Sequence, residues 1–322
     1  MRGENEMSNS VESPHNFGQA NTLGVDRRLR RIFVGQDGIR SGWCALLFVV
    51  IYLLLNALGT SALGHFVELE PKGPLPPSLV FLQESSDLLV IFIAAWIMSR
   101  IEGRPLVSYG YTGKHKAVRL LSGAAWGLAG LSGLVAILWK AHVLVFDGLA
   151  QTGIAAWRYA FAWAVCALLV GIFEESLLRG YLQFTLARGI GFWWAALLLS
   201  VAFALFHIPN GGESPLGLVV VGLGGLVFCL SLWYTKSLWW AIGFHAGWDW
   251  GQSYLYGTAD SGLLAQGHLL ISHPSGNPRW SGGATGPEGS LLILPILIAT
   301  ALGMWLWWGR VRPEDGDSPT IR

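Results

Sequence analysis

Glu174 and Glu175 stand side by side in a stretch otherwise apolar enough to cross a bilayer, with Arg179 one helical turn further on. A charged side chain at the centre of a membrane helix costs roughly 2.5–3.5 kcal/mol on insertion scales, so an intramembrane acidic pair marks a functional site by default. Further along, His207 follows Phe203 by four residues and Asp249 follows His245 by four. Residues four apart share one face of a helix. A carboxylate and an imidazole sheltered from water are the general bases expected near neutral pH. Immediately after His207, Ile208-Pro209-Asn210-Gly211-Gly212 must stop the helix, and irregular backbone at membrane depth is tolerated only where it lines protein or a wet cavity.

The elements that carry these residues are membrane helices. Hydrophobic residues make up 52% and charged ones 13% of the 322 residues, and mean hydropathy is +0.47; ordinary soluble domains do not have this composition. Apolar runs of about 20 residues predict eight spans, near 43–62, 78–99, 119–143, 157–178 with a continuation beyond, 191–207, 216–235, 237–257 and 289–309. The fold class is therefore all-α, a polytopic membrane bundle over residues 41–310. Residues 1–40, polar and basic, read as a disordered tail and not a cleaved signal peptide, and 311–322 as a second tail. A net charge of +1 gives no reason to expect nucleic acid. Cys44, Cys166 and Cys229 all fall within predicted spans, so no disulfide framework is expected. The Gly-, Ser- and Pro-rich loop 258–288 is either a lid or a connector.

Basic flanks are retained on the cytoplasmic side. Of the 21 lysines and arginines, an amino terminus inside places 17 on that side and leaves Lys72, Lys140, Arg158 and Arg279 outside, which favours both termini in the cytoplasm. Tryptophan pairs at 193/194, 239/240 and 307/308 fall at predicted span ends, where interface anchors belong.

Depth follows from the turn at Gly189-Ile190-Gly191. If the fourth helix runs to that turn and the fifth returns antiparallel, Glu174 and His207 both lie about 25 Å from the hairpin tip. His245 begins about 12 Å into the bilayer from the same side. Glu174, His207, His245 and Asp249 are thus expected at one level, around one pocket able to handle water.

Glu174-Glu175-x-x-x-Arg179, Phe203-x-x-x-His207 and His245-x-x-x-Asp249, in that order on successive apolar helices, resemble the three motifs of the CAAX prenyl protease and bacteriocin-processing (CPBP, or Abi) family of intramembrane proteases, over residues 155–255. That resemblance implies an eight-helix bundle with a conical cavity open to the cytosol and laterally to lipid. It implies cleavage of a membrane-associated protein or peptide, prenylated in some members, by an integral membrane protein of a bacterial plasma membrane. By position, it implies that Glu174 and His207 activate the attacking water while His245 and Asp249 stabilise the oxyanion. The family's third motif ends in Asn or Asp; an ionised Asp249 accepts hydrogen bonds and cannot donate them, so it suits orienting His245. Glu175 is expected to pair with Arg179, and Phe203 to pack the His207 ring.

Other readings stay open at this stage. Glu174, His207, His245 and Asp249 are an acceptable donor set for zinc with one position left to water, but no HExxH is present, and the metal-free form is favoured. A proton-coupled transporter would also bury acids and histidines at one level; the absence of an internal repeat argues against it. A catalytically silent scaffold could lose the charged groups, which are intact. The lone histidines His65, His115, His142, His268 and His273 read as loop or interface residues, and Gly222, Gly224 and Gly225 as ordinary close-packing residues.

Overall fold

The computed structural model describes residues 33–35, 38–69 and 73–309. Nearly all of both expected tails lies outside these residues. The end of the first carries a small antiparallel ladder, β1 (Val34–Gly35) with β2 (Gly38–Ile39).

Among the described residues nine helices of eight residues or more build the bundle: α1 (Ser41–Gly64), α2 (Pro77–Glu102), α3 (Lys116–Lys140), α4 (Gly153–Glu175), α5 (Gln183–Ile190), α6 (Phe192–Phe206), α7 (Pro215–Thr235), α8 (Trp239–Asp249) and α9 (Leu294–Trp308). Among the described residues, six helical segments are long and apolar enough to cross a membrane: α1, α2, α3, the run Gly153–Ile190, α7 and Leu291–Trp308. The fold is an all-α polytopic bundle and the chain an integral multi-pass membrane protein. The expected fifth and seventh spans are the shorter α6 and α8. Boundaries follow local chemistry. Proline opens α2 and α7, where its missing N–H is no loss; the Ser214 hydroxyl accepts from Gly217 N–H at 3.1 Å. Gly191, at φ +84°, makes the tight turn that reverses α5 into α6.

Two features were not read from the sequence. The helix does not run unbroken through Arg179: Ser176–Leu182 is a π-helical turn, with Gly180 out of helical geometry at ψ −117°. A second π-helical turn, Trp250–Tyr256, continues α8. The other feature is a β-ladder. β3 (Leu144–Leu149) pairs antiparallel with β4 (Leu270–Pro274), tying the long loop to the α3–α4 connection.

The two ends of the bundle differ. At one end lie Arg100, Arg104, Lys114, Lys116, Arg119, Arg188 and Lys236; Arg119 Nη1 donates to the Thr235 carbonyl at 3.1 Å, and Arg188 pairs with Glu102. At the other lie the β-ladder, the 207–214 turn and the long loop. Trp240 of the expected anchors is buried at the first end and packs edge-on to Trp308, whereas Trp194 and Trp307 are exposed.

α3 and α8 pack backbone against backbone. A Cβ on Gly127 of α3 would sit 2.9 Å from the Phe244 carbonyl carbon, and one on Gly247 of α8 would sit 2.8 Å from Ala124 Cα. In lipid, where apolar side chains gain nothing by leaving their solvent, such close approach by small residues supplies the association energy. This contact holds α8, and therefore His245, in place. Gly127→Val is expected to destabilise the protein by about 1–3 kcal/mol through overpacking; a melting temperature in detergent equal to that of the wild type would contradict the contact.

Candidate active site

The site is built from its base upward. Glu175 and Arg179 are fully buried, with Arg179 Nη1 3.1 Å from Glu175 Oε1. The guanidinium carbon lies 4.4 Å from the centre of the Phe203 ring and 5.4 Å from that of Phe228, so aromatic faces of α6 and α7 stabilise the cation. A Cβ on Gly225 would come within 2.5 Å of Arg179 Nη2. This glycine makes room for the guanidinium, a more specific role than close packing.

His245 stands on that base. Its Nδ1 is 3.2 Å from Glu175 Oε1, and its Nε2 is 3.4 Å from Glu174 Oε2 and 3.6 Å from Asp249 Oδ2. The ring stacks on Phe228, centroids 5.2 Å apart, and meets Phe203 edge-on at 6.2 Å. Both ring nitrogens therefore face carboxylate oxygens, which accept only, and a ring bearing hydrogen on both satisfies them.

His207 caps the end of α6. Its Nδ1 is 2.9 Å from the Phe203 carbonyl oxygen, which can only accept, so Nδ1 carries a hydrogen and Nε2 is the nitrogen left to face water. Phe203 packs it edge-on at 4.8 Å. The broken turn after His207 is anchored to the long loop: Asn210 Nδ2 donates to the Ser261 carbonyl at 3.0 Å and Thr285 Oγ1 to the Gly212 carbonyl at 3.2 Å.

Glu174, His207, His245 and Asp249 line one cavity of about 470 Å³. Glu175 and Arg179 lie behind its wall. Four acids that sequence reasoning missed line it as well: Glu84 and Asp87 from α2, Asp260 and Glu288 from the long loop. The first two carried a usable signal, since they are carboxylates inside a predicted span; the loop pair carried none. The loop is thus a wall of the site. Trp248 Nε1 donates to Glu288 Oε1 at 2.8 Å, Ser261 Oγ to Glu288 Oε2 at 2.9 Å, and Ser253 Oγ to Asp260 Oδ2 at 2.9 Å. Burial pushes the Asp260 carboxyl up to about 8, with the neighbouring Glu288 charge adding to the rise. Burial also raises Glu213, against the opposing hydrogen bond from Ser214 N–H.

The cavity reaches the loop-bearing end of the bundle at Leu75, Asn210, Ser261 and Ala265. None of the basic residues at the opposite end lines it; buried Leu238, Ile242 and Leu232 fill the space beneath His245. The charge-based orientation and the cytosol-facing cavity implied by the resemblance thus point in opposite directions.

A zinc site is not supported. Among the described residues no group of three or more His, Cys, Asp or Glu side chains is arranged to hold a metal ion, and the His245 nitrogens are already turned to acids.

Residues 155–251 match the family model described as type II CAAX prenyl endopeptidase Rce1-like. The matched stretch contains all three motifs and supports the resemblance to the CAAX prenyl protease and bacteriocin-processing family. In general terms it supports a CAAX-type intramembrane protease acting on a membrane-associated protein or peptide. No curated protein matches the chain.

The raised Asp260 carboxyl makes stability depend on pH. The folded chain holds a proton there that the unfolded chain releases, so this stabilisation is complete below the free value of 3.8 and is lost as pH rises through about 8. The melting temperature is expected to fall between about pH 5 and pH 9, and to fall less in Asp260→Asn. Equal slopes in the two proteins would remove Asp260 as the cause.

Proposed function

We propose that the protein is an intramembrane endopeptidase that hydrolyses a peptide bond with water activated by Glu174 and His207. The observation that carries this reading is the shared cavity lined by Glu174, His207, His245 and Asp249.

In this reading Glu174 takes a proton from a water held between its carboxylate and the free Nε2 of His207. The water oxygen bonds to the scissile carbonyl carbon, and the carbonyl oxygen becomes an oxyanion. The His245 Nε2–H, held by contacts of 3.4 and 3.6 Å to Glu174 and Asp249, is loose enough to turn toward that oxyanion, where a preorganised donor contributes most. Asp249 and Glu175 accept from the ring and hold its charge. The carbon–nitrogen bond then breaks, and the proton taken from water passes to the leaving amine. No step needs a metal.

Cleavage of a candidate peptide by purified protein is expected to fall at least about a hundredfold in Glu174→Gln and in His207→Ala, and to be unchanged by a chelator. Undiminished cleavage in both variants would remove these residues from the mechanism. Loss on chelation, restored by zinc, would overturn the metal-free form.

The seven basic residues named at one end, with Arg40 beside them, favour that end as cytoplasmic, and on this reading the cavity mouth faces the outer side of a bacterial plasma membrane. Substrate then arrives from the outer leaflet or beyond. Cys44, Cys166 and Cys229 are all buried, so Arg279→Cys, at an exposed site on the loop-bearing end, is expected to react with a membrane-impermeant thiol reagent in intact cells. Reaction only after lysis would reverse the orientation.

A further inference from the structure

Glu84 is the acid in this cavity that the catalytic arrangement leaves without a role. It lies on the face of α2 that also presents Val80, Ile91, Ala94 and Met98, all buried, so it points into the bundle. Asp87, on the same face, is accounted for by Asn56 Nδ2, which donates to its Oδ1 at 2.7 Å. No such donor serves Glu84: its Oε2 is shut off from solvent and has no hydrogen-bond partner among the described residues. A carboxylate in that condition is costly unless it holds a proton or a cation joins it.

Space for that cation is next to it. A second cavity of about 260 Å³, lined by Thr60, Leu63, Leu69, Gln83, Glu84 and Asp87, shares Gln83, Glu84 and Asp87 with the catalytic cavity. Glu84 therefore stands where a side chamber meets the main one. Among the described residues six carboxylates line the catalytic cavity and no lysine or arginine does; Arg179 is spent on Glu175 behind the wall. The chamber walls set Leu63 of α1 and Leu69 beyond its end against Glu84 and Asp87 of α2, which suits an aliphatic stem ending in positive charge.

We propose that the side chamber is a specificity pocket for a lysine or arginine side chain of the substrate peptide, with Glu84 as its counter-charge and Asp87 and Gln83 as further acceptors. The inference rests on the peptidase reading for its substrate, and the test separates the two. Apolar peptides that differ at one position, bearing lysine, norleucine or glutamate in turn across the sequence, are titrated against Glu174→Gln protein in detergent and, in parallel, offered to the wild type for cleavage. At one position the lysine peptide is expected to bind at least about tenfold tighter than the norleucine peptide. Adding Glu84→Gln should abolish that preference and Glu84→Asp should retain part of it, with melting temperatures confirming folded protein. Equal binding of the lysine and norleucine peptides at every position, or a preference that survives Glu84→Gln, overturns the pocket. A lysine preference in binding with no cleavage of any peptide by the wild type leaves the pocket standing and sinks the peptidase reading alone.

Discussion

The buried pair of Glu175 and Arg179 holds the site together. Breaking such a pair by removing one partner costs about 3–5 kcal/mol, because the other charge is left stranded. Here the pair is shared among four helices: α4 supplies Glu175, the π-helical turn Arg179, α6 and α7 the two phenyl rings that flank the guanidinium, and α8 the His245 ring that leans on the same carboxylate oxygen. The Nε and Nη2 of Arg179 have no hydrogen-bond acceptor among the described residues, so aromatic faces take the place of acceptors. His245 is consequently aligned by a group that never touches the cavity.

The orientation of the active face has a plain physical origin. Glycine contacts bring α3 and α8 to backbone distance and close the bundle beneath His245, while the cavity opens above it among residues of α1, α2, α6 and α7. The 257–290 segment then fills part of that gap with polar groups, bonded to Trp248 on α8 and to the turn after His207. One loop thus braces both histidine-bearing elements.

Much of this was legible in the residues. Spacing of four placed Glu175 with Arg179, Phe203 with His207 and His245 with Asp249, because the α-helical repeat makes such residues neighbours. Hairpin geometry about Gly191 led to the expectation of Glu174 and His207 at equal depth, and both line the one cavity. The π-helical turns were not legible: hydrophobic periodicity averages over several turns, and one widened turn leaves no mark on it. Asp260 and Glu288 were hidden for another reason. Loop residues acquire meaning only from the surface they fold onto, and neither spacing nor composition records that surface. Glu84 and Asp87 were visible as acids in a span, but the motif residues drew the reading away from them.

The π-helical turn at Ser176–Leu182 makes chain length, and not only residue type, part of the design. Its wider coil sets the angle at which α5 leaves α4, and so brings Tyr181 onto the Phe48 ring at 4.5 Å and within hydrogen-bonding reach of Glu102. Deleting a single residue between Glu175 and Arg179 would remove the widened turn, since a π-turn is an α-helix carrying one extra residue, and would leave the arginine three residues from its partner instead of four. Arg179 would turn away from its aromatic cradle while every side chain needed for chemistry was still present. In this stretch a shortened chain is a graver lesion than an altered one.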